Sequence, residues 1–223
     1  LFGLLLVIFN KSRSVKMVSG GVILGIILLV GTFWLLRDTD FVKNNSVLTR
    51  FSGLSLHERT IESRFTIWGM SFDGFKERPI LGWGIENYSQ VFNKYYEPVL
   101  WMQESWFDRS HNIIFDWLIH AGSLGLLAYL SLYGASLYVL WKKYFLDKSP
   151  EGLMPAAVLT SLFAAYFFHN FFVFDNLISY IIFFSVLAFI HFTYAYKSNE
   201  VGLSAGRSQT SPASPITPAH SLA

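Results

Sequence analysis

Arg109-Ser110-His111-Asn112-Ile113-Ile114-Phe115-Asp116-Trp117 is where the chain passes from a long polar segment into an apolar one that runs on to Leu140. The run from His111 exceeds the roughly 20 residues that a membrane helix needs. The seam therefore predicts a helix whose first turn sits at a water–lipid boundary. Backbone N–H groups in that turn lack helical partners, and Ser110 or Asp108 is placed to cap them. The positive end of the helix dipole, with Arg109 two residues away, disfavours an imidazolium at His111. Its ring is left neutral and able to accept a proton. Asn112, Asp116 and His120 recur every four residues, so a polar ridge descends from the seam into the apolar helix.

Composition agrees with a membrane reading. Of 223 residues 52% are hydrophobic and only 14% charged, and the mean hydropathy is +0.40. That is too apolar for an ordinary soluble domain. Seventeen basic and 15 acidic side chains leave a net charge of +2, which gives no footprint for nucleic acid. Zero cysteines exclude disulfides, Cys-ligated zinc and a thiol nucleophile. No spacing of the remaining side chains matches a zinc or calcium site, and no solenoid-type repeat is present.

Outward from the seam, four spans are expected: Met17–Leu36, His111–Leu140, Met154–Val173 and Leu177–Tyr196. The opening run Leu1–Phe9 is too short to span. Its cations, Lys11, Arg13 and Lys16, follow it instead of preceding it as in a signal peptide. It reads as the tail of a helix whose beginning lies outside this chain. The fold class expected is all-α, a polytopic helical membrane protein with a large helical loop. Its divisions are 1–36 (truncated helix and first complete span), 37–110 (loop domain), 111–196 (three spans) and 197–223 (a Ser-, Pro-, Thr- and Ala-rich disordered tail). The short flanks hold Lys11, Arg13, Lys16, Lys142, Lys143, Lys148 and Lys197, which places them in the cytoplasm and the loop outside.

Within the loop, Leu56–Phe75 carries Ile61, Phe65, Trp68 and Phe72 at intervals of three and four, an amphipathic helix whose stripe suits a membrane surface. Arg64 shares that face one turn before Trp68, where a cation gains little unless it meets a phosphate. Arg78-Pro79-Ile80-Leu81-Gly82-Trp83-Gly84 ends the helix in a turn. It is a poor phosphate loop, lacking a preceding strand and a third glycine. A short helix over Glu86–Tyr96 follows, ended by Pro98. Plainer readings stand beside the functional ones. A lone loop histidine is an ordinary surface residue, Asp116 and His120 serve as interhelical hydrogen-bonding groups, and His169-Asn170 with Asp175 forms a packed polar cluster.

Taken in order, Arg64-Phe65-Thr66-Ile67-Trp68, Arg78 through Tyr88, Ser110-His111-Asn112 with Asp116-Trp117, and Ala121 through Leu127 resemble the O-antigen ligase and O-antigen polymerase family, related to protein O-oligosaccharyltransferases. The resemblance covers Leu56–Ile190. It implies an inverting, metal-free membrane glycosyltransferase of the all-helical C type, in the bacterial cytoplasmic (inner) membrane, with no cofactor. The implied donor is an undecaprenyl-pyrophosphate-linked glycan, and the acceptor a lipid A core, a growing glycan or a protein. The resemblance maps the acceptor-activating histidine onto His111 and a pyrophosphate ligand onto Arg64. Arg109 is expected to assist with the pyrophosphate, and Asn112, Asp116 and His169 to support. Members of that family are longer, so this chain is expected to be the C-terminal part of such an enzyme. An alternative from another class is a non-catalytic glycolipid-binding or transport subunit, in which the polar line Asn112, Asp116, His120 and His169 would matter most.

Overall fold

The computed structural model describes residues 1–53, 59–102, 106–147 and 150–196. The expected tail at 197–223, the start of the amphipathic segment at Leu56 and the flank residue Lys148 lie outside them. Among the described residues there is no strand. The chain is an all-α membrane protein, in which three helices are long and apolar enough to cross a bilayer.

The elements are α1 (Phe2–Phe9), α2 (Arg13–Leu36), α3 (Asp40–Lys43), α4 (Ser46–Ser52), α5 (Arg59–Glu77), α6 (Tyr88–Lys94), α7 (Ile113–Asp147), α8 (Pro150–Asn170) and α9 (Leu177–Ile190). A 3-10 turn at Pro98–Met102 and a π-helical stretch at His191–Tyr196 complete them. The expected fourth span is apolar only over Leu177–Thr193 and is shorter than α2, α7 and α8. At 1.5 Å per residue that stretch reaches about 25 Å, short of the roughly 30 Å hydrocarbon core. The α2 helix starts earlier than expected, at Arg13, and presents most of its apolar surface outward, including Val22, Ile26 and Leu29.

Two cores position the site. In one, α7, α8 and α9 close around aromatic rings, with Tyr133 5.5 Å from Phe163 and 5.0 Å from Phe183. The Tyr129 and Tyr133 hydroxyls pair at 2.9 Å, so neither is left bare in an apolar interior. The other core joins the loop to α7: Ile67, Met70, Tyr88, Val91, Phe92, Leu100 and Phe107 pack with Ile119. Here α5 also has a buried face that the sequence reading did not name. Its buried face is Ile67, Met70, Ser71 and Gly74, while Phe65 and Phe72 of the expected stripe are exposed. Gly74 lets the α6 residue Val91 approach closely, since an added Cβ would lie 2.4 Å from its Cγ1. At the far end of this pair Glu77 accepts from Lys94 and Tyr95. Those bonds hold the Glu77 carboxyl below its ordinary range, and push the Tyr95 phenol up to about 12.

The α7 helix is broken at Gly122 (φ 63°, ψ −162°). A break inside a span leaves backbone groups unsatisfied, and these cannot face lipid. The turn after Arg78 supplies the partners. Trp83 and Gly84 donate N–H to the carbonyls of Ile119 and His120, at 2.6 and 3.1 Å. Pro79 and Ile80 offer carbonyls to the N–H groups of Ser123 and Leu124, at 2.8 and 3.3 Å. Both segments need glycine at the contact: a Cβ on Gly122 would lie 2.3 Å from the Ile80 oxygen, and one on Gly82 2.4 Å from the Ile119 oxygen.

Gly122→Ala should therefore destabilise the protein by about 3 kcal/mol or more, from strain at positive φ together with the clash. Gly134→Ala, in the same helix with nothing within 4 Å of the new Cβ, should stay within about 1 kcal/mol of the parent. Equilibrium unfolding in detergent micelles compares the two, and equal effects would mean that the break is incidental.

Candidate functional site

The seam begins one turn of chain before α7. The helix starts at Ile113, and its cap is neither Ser110 nor Asp108. Asn112 does that work, its side-chain oxygen accepting from the Ile114 and Phe115 N–H groups at 2.9 and 3.4 Å. His111 thus precedes the cap, in a left-handed conformation (φ 52°) that a residue with a Cβ adopts at a cost of about 1 kcal/mol or more.

Asp116 holds that conformation. It is buried, and one carboxylate oxygen accepts from the Ser110 N–H at 3.1 Å and from the Ser110 hydroxyl at 3.0 Å. The other accepts from the Arg109 guanidinium at 3.2 Å. Arg109 reaches onward to Glu86 at 2.9 Å. Burial works against its charge, but the carboxylates of Asp116 and Glu86 outweigh that and raise its pKa further. Trp68 of α5 donates its indole N–H to the Ser110 carbonyl at 3.1 Å and stacks near Phe115. Ser110, before His111, is therefore fixed by side chains from α5 and α7, and Asn112, after it, by its own cap on the α7 backbone.

The imidazole of His111 is half-buried between two rings, Phe107 at 5.6 Å and Phe174 at 5.3 Å, both edge-on. Phe174 lies in the α8–α9 connection and also sits under the Arg109 guanidinium, 5.5 Å from its centroid. The second expected polar cluster follows Phe174 directly. Asp175 is buried and accepts from the Asn170 amide at 2.6 Å and from the Tyr166 hydroxyl. His169, at the end of α8, is exposed and shares a 3.2 Å hydrogen bond with Asn170. Among the described residues, Asp175 Oδ2 and His120 Nε2 are buried side-chain atoms with no hydrogen-bond partner.

The structure thus brings His111, Arg109, Asn112 and Asp116 into one assembly, and sets the His169–Asp175 cluster beside it through Phe174. Arg64 sits on α5 one turn before Trp68, a Cβ separation of about 6 Å. It is half-buried, without an ion-pair partner among the described residues. Arg78 is committed elsewhere, its guanidinium 4.3 Å above the Trp83 ring. Among the described residues no cluster of three or more His, Asp or Glu side chains is arranged to hold a metal ion. Glu86, Phe107 and Phe174 were given no part in the site by the sequence, and Ser110, expected as a cap, is instead held by Asp116. The Gly82–Gly84 turn was the available signal for Glu86, which shares its positive φ (64°).

Chemically, the assembly offers an imidazole in a fixed pose beside a guanidinium, with a second arginine on the neighbouring helix. Compared with known proteins, residues 1–130 match the family model described as O-antigen ligase. That match begins earlier than the resemblance read from the motifs and stops before α8. No curated protein and no solved structure matches the chain.

Asp116→Asn should leave Arg109 partly uncompensated, weaken the clamp on Ser110, and cost about 3 kcal/mol of stability. Unfolding in micelles and limited proteolysis near Ser110 report this. A loss below about 1 kcal/mol with an unchanged cleavage pattern would mean that Asp116 does not hold the seam.

Proposed function

The chain belongs to the O-antigen ligase family, and from that premise we propose that it moves a glycan from undecaprenyl pyrophosphate to an acceptor hydroxyl outside the bacterial cytoplasmic membrane. The observation that carries this reading is the pose of His111: a histidine held in a strained loop conformation, between two aromatic edges, at the mouth of a broken membrane helix. A residue whose only role is to face solvent has no need of such fixing.

In the proposed reaction the acceptor oxygen attacks the anomeric carbon bonded to the pyrophosphate. The new glycosidic bond forms as the carbon–phosphate-oxygen bond breaks, with inversion, because one displacement occurs. His111 takes the acceptor proton as the attack proceeds. The departing electron pair stays on the pyrophosphate, and fixed cations stabilise the charge that develops there. Arg64 meets the pyrophosphate directly, its planar fork matching phosphate oxygens. Arg109 joins it when the exposed Glu86 carboxylate gives way to the donor, while Asp116 keeps its hold on the guanidinium. Asn112 fixes the helix start, and His169 supports from the α8 end. The loop 37–110 then faces outward, as the cationic flanks require.

His111→Ala should lower transfer from a labelled undecaprenyl-pyrophosphate glycan by about 10²–10⁴-fold, the usual worth of a positioned base, with donor binding largely kept. Arg64→Ala should instead weaken donor binding. The assay is run in membranes holding the complete gene product, with and without chelator, and the product distinguishes lipid A core, a longer glycan or a protein as acceptor. Normal transfer by the His111 variant would remove the histidine from the mechanism and move a binding or transport role ahead.

A further inference from the structure

At the end of the bundle remote from His111, the α1–α2 turn, the end of α7 and the start of α8 enclose a cavity of about 520 Å³. That is within the range of small-molecule sites, about 300–1,000 Å³. Its body is apolar: Phe9, Tyr144, Phe145 and Leu153 line it, with the Phe9 ring 6.1 Å from each of the two α7 rings. Its rim is polar and cationic, formed by Asn10, Lys11 and Ser12. Tyr144 donates to the Phe9 carbonyl at 3.0 Å, and Phe9 packs on Trp141 at 4.9 Å, so the walls are tied together.

Lysine and arginine side chains leave this rim short of negative charge. Lys11 lines the cavity itself and is exposed. Arg13 and Lys16 stand in the first turns of α2, where the helix dipole is positive and no acid offsets it. An apolar cavity at a membrane face with a cationic rim is matched by a molecule with a hydrocarbon chain and an anionic head. A free phosphate would leave the aromatic body empty, and a neutral lipid would leave the cations unanswered.

We propose that this cavity holds an anionic phospholipid, one acyl chain against Phe9, Tyr144, Phe145 and Leu153 and the phosphate at Lys11 and Arg13. The site is independent of the transfer reaction: it shares no residue with the His111 assembly and serves as a lipid anchor for the α1–α2 hairpin.

The test reconstitutes the full chain in bilayers of equal phosphatidylglycerol and phosphatidylcholine, extracts it in mild detergent, and weighs retained lipid by native mass spectrometry. Ser12→Trp, at an exposed rim position whose side chain makes no capping bond, blocks the entrance. Lys11→Gln removes a rim cation. Thermal unfolding confirms that both variants are folded. The parent should retain phosphatidylglycerol over phosphatidylcholine by more than about tenfold, the worth of two near-surface cations. Ser12→Trp should abolish that preference, and Lys11→Gln should cut it about fivefold, the worth of one near-surface cation. Equal retention of the two lipids by the parent overturns the proposal. So does a preference that survives Ser12→Trp, which would mark it as general surface attraction.

Discussion

A helix in hydrocarbon cannot break unless something else satisfies the backbone groups the break exposes. In this chain that constraint falls on Gly122, and the turn Pro79–Gly84 meets it with four backbone hydrogen bonds, two in each direction. The exchange is reciprocal, because the turn's own amides and carbonyls would otherwise be orphans in a half-buried loop. Much of the upstream architecture follows from it. Once the turn is pinned to α7, α5 before it and α6 after it are delivered to the same helix, and Ile119 becomes part of their core. Trp68 then reaches Ser110, and the residues around His111 become fixed. The strained histidine is thus supported, through α5, from a contact about three turns of helix away.

Much of the fold was legible because composition and the length of apolar runs govern most of it. Runs of the right length gave α2, α7 and α8, and proline with glycine gave the turn at Arg78–Gly84. The protein-facing side of α5 was not legible, for a physical reason. In a soluble helix the apolar stripe points inward, but beside a membrane the apolar stripe can face lipid while small residues face protein. Ser71 and Gly74 are buried with Ile67 and Met70, Ser71 bonded to Tyr88 and Gly74 pressed on Val91, and Phe65 and Phe72 stay outside. Hydrophobic periodicity cannot separate those two solvents. The kink was hidden for a similar reason, since Gly122 lies in a run rich in other helix-compatible residues and its role appears only when Ile80 is placed against it.

For the site, residue types and spacing singled out His111, Asn112, Asp116 and Arg109, but their division of labour depended on tertiary contacts. Asn112 and Asp116 are four apart, which suggested a polar ridge running from the seam down the helix. In the fold both turn back on the chain, one capping α7 and the other gripping Ser110 and Arg109. That observation weighs against the transport alternative, which needs those groups facing a pathway. Phe174 had no signal in sequence at all: an aromatic ring in an apolar connection is unremarked until it lies against both His111 and Arg109.

If Arg109 meets a pyrophosphate as proposed, its pairing with two carboxylates is what lets the site persist without one. A guanidinium at a low-dielectric edge needs a counter-charge, and Asp116, fixed and buried, supplies one of them permanently. Glu86 is different. It is exposed, in a turn at positive φ, and its bond to Arg109 competes with water. A surface partner of that kind contributes about 1 kcal/mol or less, so the donor of the proposed reaction would displace it at small cost. Asp116 cannot be displaced without releasing Ser110. The arginine therefore has one partner that sets its position and one that yields, and the His111 loop keeps its shape while the charge around it changes.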